Sequence, residues 1–386
     1  MSWEVTTIGE HCTVTSSKRF HISERSDSGI PFFCSKEIIQ KIKGETITEC
    51  DFIREEAYEN VKKQFGVPEA GDLLITTRGT YGVPYIYKDT DHFYFADGNL
   101  TWLKDFTNDL LPQYLYYWVK SYEGQKKIDA IAKGTAQKAV PIASIKTLEL
   151  SLPPIDTQKS IVSILSTYDN LIENNQKQIK LLEEAAQRLY KEWFVDLRFP
   201  GHENVKIVDG VPEGWGKEKI GNILAKIPRT TQIKASDYLN SGIIPIIDQS
   251  RNFIAGYTNN KDALVNVGHP VIVFGDHTRA LKYIMFPFAK GADGTQLIVS
   301  NRDDMPQSLL YLSLVSVDLS NYHYARHFKY LKAESILIPS QRLAHEFDML
   351  VSPIFVQIQK LRDISSKAAE ARDRLLPKLM SGEIEV

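Results

Sequence analysis

The residues with the clearest potential for binding chemistry lie in one run near the end of the second half of the chain. The run 321–330 mixes His, Tyr, Arg, Phe and Lys side chains, a combination that suits phosphate contact and stacking against bases. His323 and His327 are four residues apart and could share a helix face, as metal-binding pairs do. No third ligand lies nearby and Arg326 would repel a cation, so we expect no metal site. A helix with its aromatic residues in the core explains the run equally well.

Basic residues at predicted loops form a second set of candidates. Arg78 and Arg279 each follow an apolar, strand-like run, where a guanidinium could donate two hydrogen bonds to guanine. A surface salt bridge explains either arginine at least as well. The segment 133–138 has the basic character of the 321–330 run without its aromatic residues. The candidate DNA contacts are Arg78, Lys133, Gln137, Lys138, Arg279, Lys282, Arg326 and Lys329.

The sequence lacks the motifs of enzymes that act on DNA. No lysine has an Asp or Glu two residues before it, so the acid-x-Lys core of restriction-type nucleases is missing. The phosphate-binding motifs G-x-x-x-x-G-K-[ST] and G-x-G-x-x-G are also missing. The Asn-Pro-Pro-aromatic or Asp-Pro-Pro-aromatic tetrad of amino-methyltransferases does not occur either. We therefore expect no catalysis and no cofactor bound by this chain.

An internal repeat organises the whole sequence. Ala96-Asp97-Gly98 returns as Ala292-Asp293-Gly294, and Leu111-Pro112-Gln113 returns as Met305-Pro306-Gln307. Each copy has short strand-like runs, then a short helix, then a strand and a long helical pattern. The repeat predicts two related globular domains of mixed strands and helices, each followed by a long helix.

The first long helix is predicted by an apolar seam with alternating gaps of four and three residues, which is typical of a coiled coil. Asn175 lies in that seam, where a buried polar residue fixes the register. Asp156 or Thr157 is the expected N-cap. The second helix repeats the pattern, and Pro353 predicts a kink or an early break in it. The predicted seam contains Leu165, Ile172, Asn175, Ile179, Leu182, Leu189, Leu350, Ile358, Leu361 and Leu375.

Composition limits the class of protein. The 386 residues carry a net charge of −2 and allow two ordinary domains, of which the second is modestly basic. The three cysteines all lie in the first copy, so a disulfide framework is not expected. No apolar run is long enough to span a bilayer and no export signal precedes the first domain. These features predict a cytoplasmic protein with no membrane contact.

With these features established, the chain resembles the specificity subunits of Type I restriction-modification systems. The resemblance covers nearly the whole length, and its most specific parts are the segments 188–199, 211–215 and 375–383. It implies two target-recognition domains that bind a two-part, asymmetric sequence in double-stranded DNA. It also implies two methyltransferase subunits and restriction/translocase subunits as partners in a prokaryotic cytoplasm. S-adenosylmethionine, ATP and Mg would then belong to those partners.

The expected architecture is α/β (α+β), with two target-recognition domains separated by a pair of long antiparallel coiled-coil helices and related by a pseudo-two-fold repeat. Trp193 and Phe194 extend past the seam and are candidates for the methyltransferase interface, although core packing explains them as well. The alternatives are a nuclease fused to a recognition domain, a protein-binding coiled-coil scaffold, and a stand-alone DNA-binding protein. The expected segments are the first domain 1–152, first helix 153–198, linker 199–214, second domain 215–338 and second helix 339–381.

Overall fold

The computed structural model describes residues 3–45, 47–134, 138–291, 293–322 and 326–386. The chain divides into two compact units, of which unit 1 comprises Met1–Gln176 with Ile364–Val386, and unit 2 comprises Lys177–Asp363. The division falls inside both long helices, so each unit combines one globular part with a portion of each helix. The predicted five-segment boundaries, which separate helices from globular parts, stay a prediction.

Unit 1 contains short strands and short helices, as the sequence predicted. Its strands are β1 (Glu4–Thr7), β2 (Thr13–Thr15), β3 (Arg25–Ser26), β4 (Ile30–Phe33), β5 (Asp51–Ile53), β6 (Leu73–Thr76), β7 (Pro84–Ile86), β8 (Tyr94–Phe95), β9 (Leu100–Lys104) and β10 (Glu149–Leu152). Its short helices are α1 (Ile8–His11), α2 (Ser35–Ile42), α3 (Glu55–Phe65), α4 (Pro112–Lys120), α5 (Tyr122–Ile131) and α6 (Ile142–Lys146).

Three sheets make up the globular part of unit 1. They have the strand orders β2-β9-β6-β7, β3-β5-β4-β8 and β1-β10. All four residues of β6 are buried because this strand lies between β9 and β7 and is covered on both faces. The short helix predicted for the first copy is divided into α4 and α5 at Ser121, whose hydroxyl accepts a hydrogen bond from Gly124 N and caps α5.

The first long helix, α7 (Ile155–Tyr190), is followed by a π-helical turn at Lys191–Val195. The strands of unit 2 are β11 (Ile207–Val208), β12 (Val211–Pro212), β13 (Gly216–Lys219), β14 (Ile244–Ile247), β15 (Gly256–Thr258), β16 (Leu264–Val265), β17 (Val271–Gly275), β18 (Leu281–Ile284), β19 (Phe288–Lys290), β20 (Thr295–Ile298) and β21 (Ser335–Ile338). Its short helices are α8 (Gln307–Val315) and α9 (Phe328–Ala333), and the second long helix, α10 (Gln341–Met380), begins in unit 2 and ends in unit 1.

The internal repeat of the sequence is also a repeat of topology. Unit 2 has the strand orders β18-β17-β20, β15-β14-β19-β16 and β13-β21, with a separate hairpin β11-β12. One sheet in each unit contains a single parallel pair, β4 with β8 in unit 1 and β14 with β19 in unit 2. The first and last strands of each globular part pair antiparallel, β1 with β10 and β13 with β21. The predicted duplication of a mixed α/β domain is therefore confirmed.

The long helices pack antiparallel in unit 1. Arg372 of α10 forms an ion pair with Asp169 of α7, and Asn175 Nδ2 donates to Ser365 Oγ at 3.2 Å. Asn175, which follows Asp169 in α7, thus contacts Ser365, which precedes Arg372 in α10. Asn175 is only 3% exposed, so the predicted polar residue lies in the seam and has a specific partner.

The long helices also pack antiparallel in unit 2. Arg362 Nη2 donates to Glu183 Oε1 at 2.7 Å, and the rings of Tyr190 and Phe347 lie 6.4 Å apart. Burial raises the pKa of the Glu183 carboxyl, while the charge of Arg362 acts in the opposite direction. This half-buried ion pair joins the two helices at one register.

Nine of the ten predicted seam residues are buried or half-buried. Leu165, Asn175, Ile358 and Leu361 are buried, and Ile172, Ile179, Leu182, Leu189 and Leu375 are half-buried. The assignment of Leu350 to the seam is wrong, because Leu350 is 52% exposed and Val351 is buried in its place. The seam advances by four residues rather than three after Phe347, since a straight helix has 3.6 residues per turn and drifts from a strict heptad.

Two further predictions concern the course and the start of the helices. Of the kink or early break predicted at Pro353, the break does not occur, because α10 continues from Gln341 to Met380, and Pro353 lies on its exposed side. The first helix begins at Ile155, before both expected N-cap residues, directly after the prolines that precede it. No helix within the described ranges is long and apolar enough to span a bilayer.

Candidate nucleic-acid interfaces

Backbone hydrogen bonds bring three predicted basic residues of unit 1 together. The loop after β6 pairs with a second loop, since Val140 N donates to Thr77 O at 3.0 Å and Arg78 forms a bridge pair with Ala139. Lys133 and Ala139 exchange two hydrogen bonds of 2.8 Å. Arg78, Lys133 and Lys138 therefore lie around one residue, Ala139, although the chain separates them. We call these three residues the unit 1 basic cluster.

A third loop borders this cluster. Thr77 N donates to Asn99 O at 2.8 Å, and Thr77 Oγ1 donates to Gly98 O at 3.1 Å. A Cβ atom at Gly98 would lie 3.8 Å from Arg78 Cζ, so the guanidinium passes close to this loop. The neighbouring Asp97 accepts a hydrogen bond of 2.7 Å from Arg19 Nε. Arg19 is thus a fourth basic residue at this loop, and its positive charge offsets the negative charge of Asp97.

The side chains of the unit 1 basic cluster carry unneutralised charge. Arg78, Lys133 and Lys138 are all exposed. Across the described part of the chain, no ion pair or side-chain hydrogen bond is formed by any of the three. The salt bridge that could have explained Arg78 is therefore not present among those residues. Three exposed cations on one loop cluster give unit 1 a local positive potential.

Unit 2 builds its corresponding loops with the same bonds. Asp276 follows β17 as Thr77 follows β6, and Asp276 N donates to Gly294 O at 2.7 Å. His327 N donates to Asp276 O at 2.9 Å, as Val140 N does to Thr77 O. In unit 2 the side chain adds a further contact, since Phe328 N donates to Asp276 Oδ1 at 2.7 Å.

The predicted basic residues of unit 2 have different environments. Arg279 has a positive φ of 59°, and its Nη2 donates to Tyr322 O at 3.0 Å. Among the described residues its guanidinium makes no other hydrogen bond, so four of its donors remain available for other contacts. Arg326 and Lys329 are exposed beside this arginine's partner loop, at the start of α9. Gln137 and His323, which the sequence also nominated, lie outside the described residues.

Lys282 is not a surface residue. It is 6% exposed, its ammonium donates to the carbonyl oxygens of Asp248 and Asn252, and its Nζ lies 3.8 Å from Asp248 Oδ1. Burial lowers the pKa of Lys282 to about 8. The assignment of Lys282 as a DNA contact is wrong for this conformation, because its side chain points inward from β18 and holds the loop 248–252.

His327 has no free ring nitrogen for a metal. Its Nδ1 lies 2.8 Å from Asp276 O and its Nε2 lies 2.9 Å from Tyr322 O. The ring is 5% exposed and joins two loops of unit 2. Within the residues that the structure describes, no group of three His, Cys, Asp or Glu side chains could hold an ion.

Trp193 and Phe194 belong to the core of unit 2. They are 7% and 5% exposed, and both rings pack against Phe347, with centroids 5.5 and 4.9 Å away. Phe194 also contacts Trp215, at 5.6 Å. Of the two explanations that the sequence allowed, core packing is the one observed, and the assignment of these residues to a partner interface is wrong for this conformation.

Sequence reasoning missed the residues that hold the loops. Gln249 Nε2 donates to Asp293 O at 2.9 Å, and Gln249 Oε1 accepts from His277 N at 3.2 Å. Ser35 has the corresponding role in unit 1, since its Oγ donates to Asn99 O at 2.9 Å. Both residues lie two positions after the parallel strand of their unit. The internal repeat could have identified them, had the strands been aligned first.

Comparison with known proteins gives a consistent result. Residues 1–184 match the profile of the Type I restriction modification DNA specificity domain. The specificity subunit of the Type I restriction enzyme MjaIX from Methanocaldococcus jannaschii is 25% identical over 347 residues, which cover 82% of this chain and 78% of that protein. The specificity subunit of the Type I restriction enzyme EcoR124I/EcoR124II from Escherichia coli is 33% identical over 109 residues, or 28% of this chain and 26% of that protein.

A solved structure shares the fold. The crystal structure of the Type I restriction-modification system S subunit from M. genitalium superposes with a TM-score of 0.59 at 16% identity, and it covers 98% of this chain and 96% of that one. The repeated topology, the antiparallel long helices and the sequence matches agree. The chain is similar in sequence to Type I restriction-modification DNA specificity subunits over most of its length, and its residues 1–184 match their specificity domain.

Proposed function

We propose that this chain recognises a two-part, asymmetric sequence in double-stranded DNA, with one half-site bound by the loop cluster of each unit. The observation that carries the proposal is the unit 1 basic cluster, whose three exposed cations have no acidic partner among the described residues. Cations without protein partners are suited to phosphate contact, and an arginine among them can also contact guanine.

The asymmetry of the target follows from the divergence of the two loop clusters. Unit 1 presents Arg78 with two lysines, whereas unit 2 presents Arg279 together with Arg326 and Lys329 at the start of α9. Two surfaces of unlike chemistry are suited to two unlike half-sites, in contrast to the matching surfaces of a homodimer. A scaffold that binds only protein would have no reason to keep two globular parts so unlike each other.

Catalysis belongs to the partners in this proposal. Two methyltransferase subunits would modify the DNA and restriction/translocase subunits would cleave it, with S-adenosylmethionine, ATP and Mg bound by those subunits. The chain would act in the cytoplasm of a prokaryotic cell, where its DNA target is. Its contribution is sequence choice and the positioning of the partners on the chosen site.

The experiment compares methylated adenines across the genome of the host with and without this gene. One split motif should lose its methylation when the gene is deleted. Exchanging residues 215–333 for the corresponding domain of another specificity subunit should change one half of the motif and leave the other half unchanged. A continuous motif, simultaneous change of both halves, or an unaltered methylation pattern would refute the proposal.

A further inference from the structure

Ile22 is an exposed apolar side chain in the segment of unit 1 between β2 and β3. It is 81% exposed, and it opens a one-turn 3-10 helix at Ile22–Glu24. Single exposed apolar residues are common on protein surfaces. Ile22 differs from such residues in its position and in the hydrogen-bonded turn that carries it.

The turn that carries Ile22 is closed by its own hydrogen bonds. His21 N donates to Glu24 Oε2 at 2.7 Å, and Glu24 N donates to His21 O at 2.9 Å. Arg25 N then donates to Ile22 O, and Arg25 continues into β3. The carboxylate of Glu24 is engaged with the backbone of the turn. Ile22 is therefore presented by a formed turn whose acidic group is occupied.

The same loop is joined to the unit 1 basic cluster. Arg19, three residues before Ile22, donates to Asp97, and the next residue, Gly98, borders the guanidinium of Arg78. Three residues span at most about 10 Å. Ile22 therefore lies within about 10 Å of Arg19, whose guanidinium binds the loop that borders Arg78.

The corresponding turn of unit 2 displays a different residue. It spans Ala235–Asp237 and precedes the parallel strand β14 as the first turn precedes β4. Ala235 stands where Ile22 stands in unit 1, and it too is exposed. One framework thus carries a long apolar side chain in one unit and a methyl group in the other, as expected for a position that sets specificity.

We propose that Ile22 is a specificity-determining residue of unit 1 that contacts the C5-methyl group of a thymine in the half-site bound by that unit. An isoleucine side chain has no donor or acceptor, and the thymine methyl is the apolar group that unmodified DNA presents in its major groove. This inference rests on the proposed function and adds one base contact to it.

The test uses the reconstituted complex with its methyltransferase subunits and a duplex carrying the motif found by methylation mapping. Exchange of residues 215–333 identifies which half-site belongs to unit 1. Each thymine of that half-site is then replaced in turn by deoxyuridine, which removes only the methyl group. One replacement should weaken binding by the wild-type complex about fourfold, the value expected for losing one buried methyl contact.

The variant Ile22→Ala should bind the thymine and uracil duplexes equally, and Ile22→Val should restore most of the difference. Ile42→Ala, which truncates another exposed isoleucine of unit 1, is the matched control and should behave as the wild type. The melting temperature of Ile22→Ala should be unchanged because the side chain is exposed.

Three outcomes would overturn the inference while sequence-specific binding persists. These are a unit 1 half-site without thymine, a uracil penalty that survives in Ile22→Ala, and a loss of affinity in Ile22→Ala that no uracil replacement reproduces. The last result would indicate insertion between bases instead of contact with a methyl group. Absence of any sequence-specific binding would instead refute the proposed function, and the inference with it.

Discussion

Removing the unit 1 basic cluster should change how DNA binding depends on salt. The change is the triple variant Arg78→Ala, Lys133→Ala and Lys138→Ala. None of the three side chains has an ion pair or side-chain hydrogen bond among the described residues, and all three are exposed. The fold of unit 1 should therefore survive their truncation, and any change in affinity reports on the interface with DNA.

The expected magnitude follows from counterion release. Each phosphate neutralised in duplex DNA contributes about 0.9 to the slope of log affinity against log salt. Three phosphate contacts contribute about 2.7, so the triple variant should have a slope shallower by about that amount. Between 50 and 200 mM salt, the wild-type complex should lose about 40-fold more affinity than the variant.

The assay is a titration of the reconstituted complex with its target duplex at four salt concentrations. A matched control replaces Lys43, Lys62 and Lys63 with Ala, three exposed lysines of unit 1 outside the basic loops. The single variant Arg78→Ala separates the two roles of the arginine, because loss of a guanine contact reduces sequence preference while loss of a phosphate contact reduces the slope. An unchanged slope in the triple variant, or an equal change in the control, would show that these cations do not contact DNA.

Three further outcomes are expected. Trp193→Ala should destabilise unit 2 by about 3–5 kcal/mol because it opens a cavity against Phe347, and an unchanged melting temperature of the isolated chain would contradict the observed packing. Burial lowers the pKa of Lys282 from 10.5 to about 8, so between those pH values the unfolded chain binds more protons than the folded chain and stability rises with pH. From pH 8 to about 9.5, the free energy of unfolding should rise by about 2 kcal/mol more in the wild type than in Lys282→Met. Equal rises in urea denaturation would show that Lys282 is not buried as described. The purified chain alone should neither cleave nor methylate DNA, since it lacks the motifs for both, and turnover free of partner subunits would reverse that conclusion.

Much of the fold could be predicted because it depends on local patterns. The apolar run at β6 and the alternating seam of α7 specify a strand and a helix through burial alone. Asn175 was identified in the seam because a polar residue there interrupts an apolar pattern. Leu350 was misplaced because the heptad pattern assumes a constant register, and the drift after Phe347 depends on packing in three dimensions.

The sites could be predicted less well because they depend on contacts between distant segments. Arg78 and Lys133 were predicted as DNA contacts and are exposed, but their proximity depends on the pairing of Ala139 with both loops. Lys282 was misjudged because a lysine in a strand can face either side, and only the register of β18 against β17 places it inside. Trp193 was ambiguous because large aromatic residues are common both in cores and in interfaces.

The way the loops are held explains how one duplicated fold can recognise two different sequences. In both units the residue after the central strand, Thr77 or Asp276, donates its N–H to one loop and accepts from a second through its carbonyl oxygen. Backbone groups make these bonds, so the loops keep their arrangement when side chains change. The side chains at the same places then diverge without loss of the framework, as Val140 and His327 have. Stability therefore constrains the loop positions while specificity is carried by the displayed side chains, and a half-site can change independently of the fold.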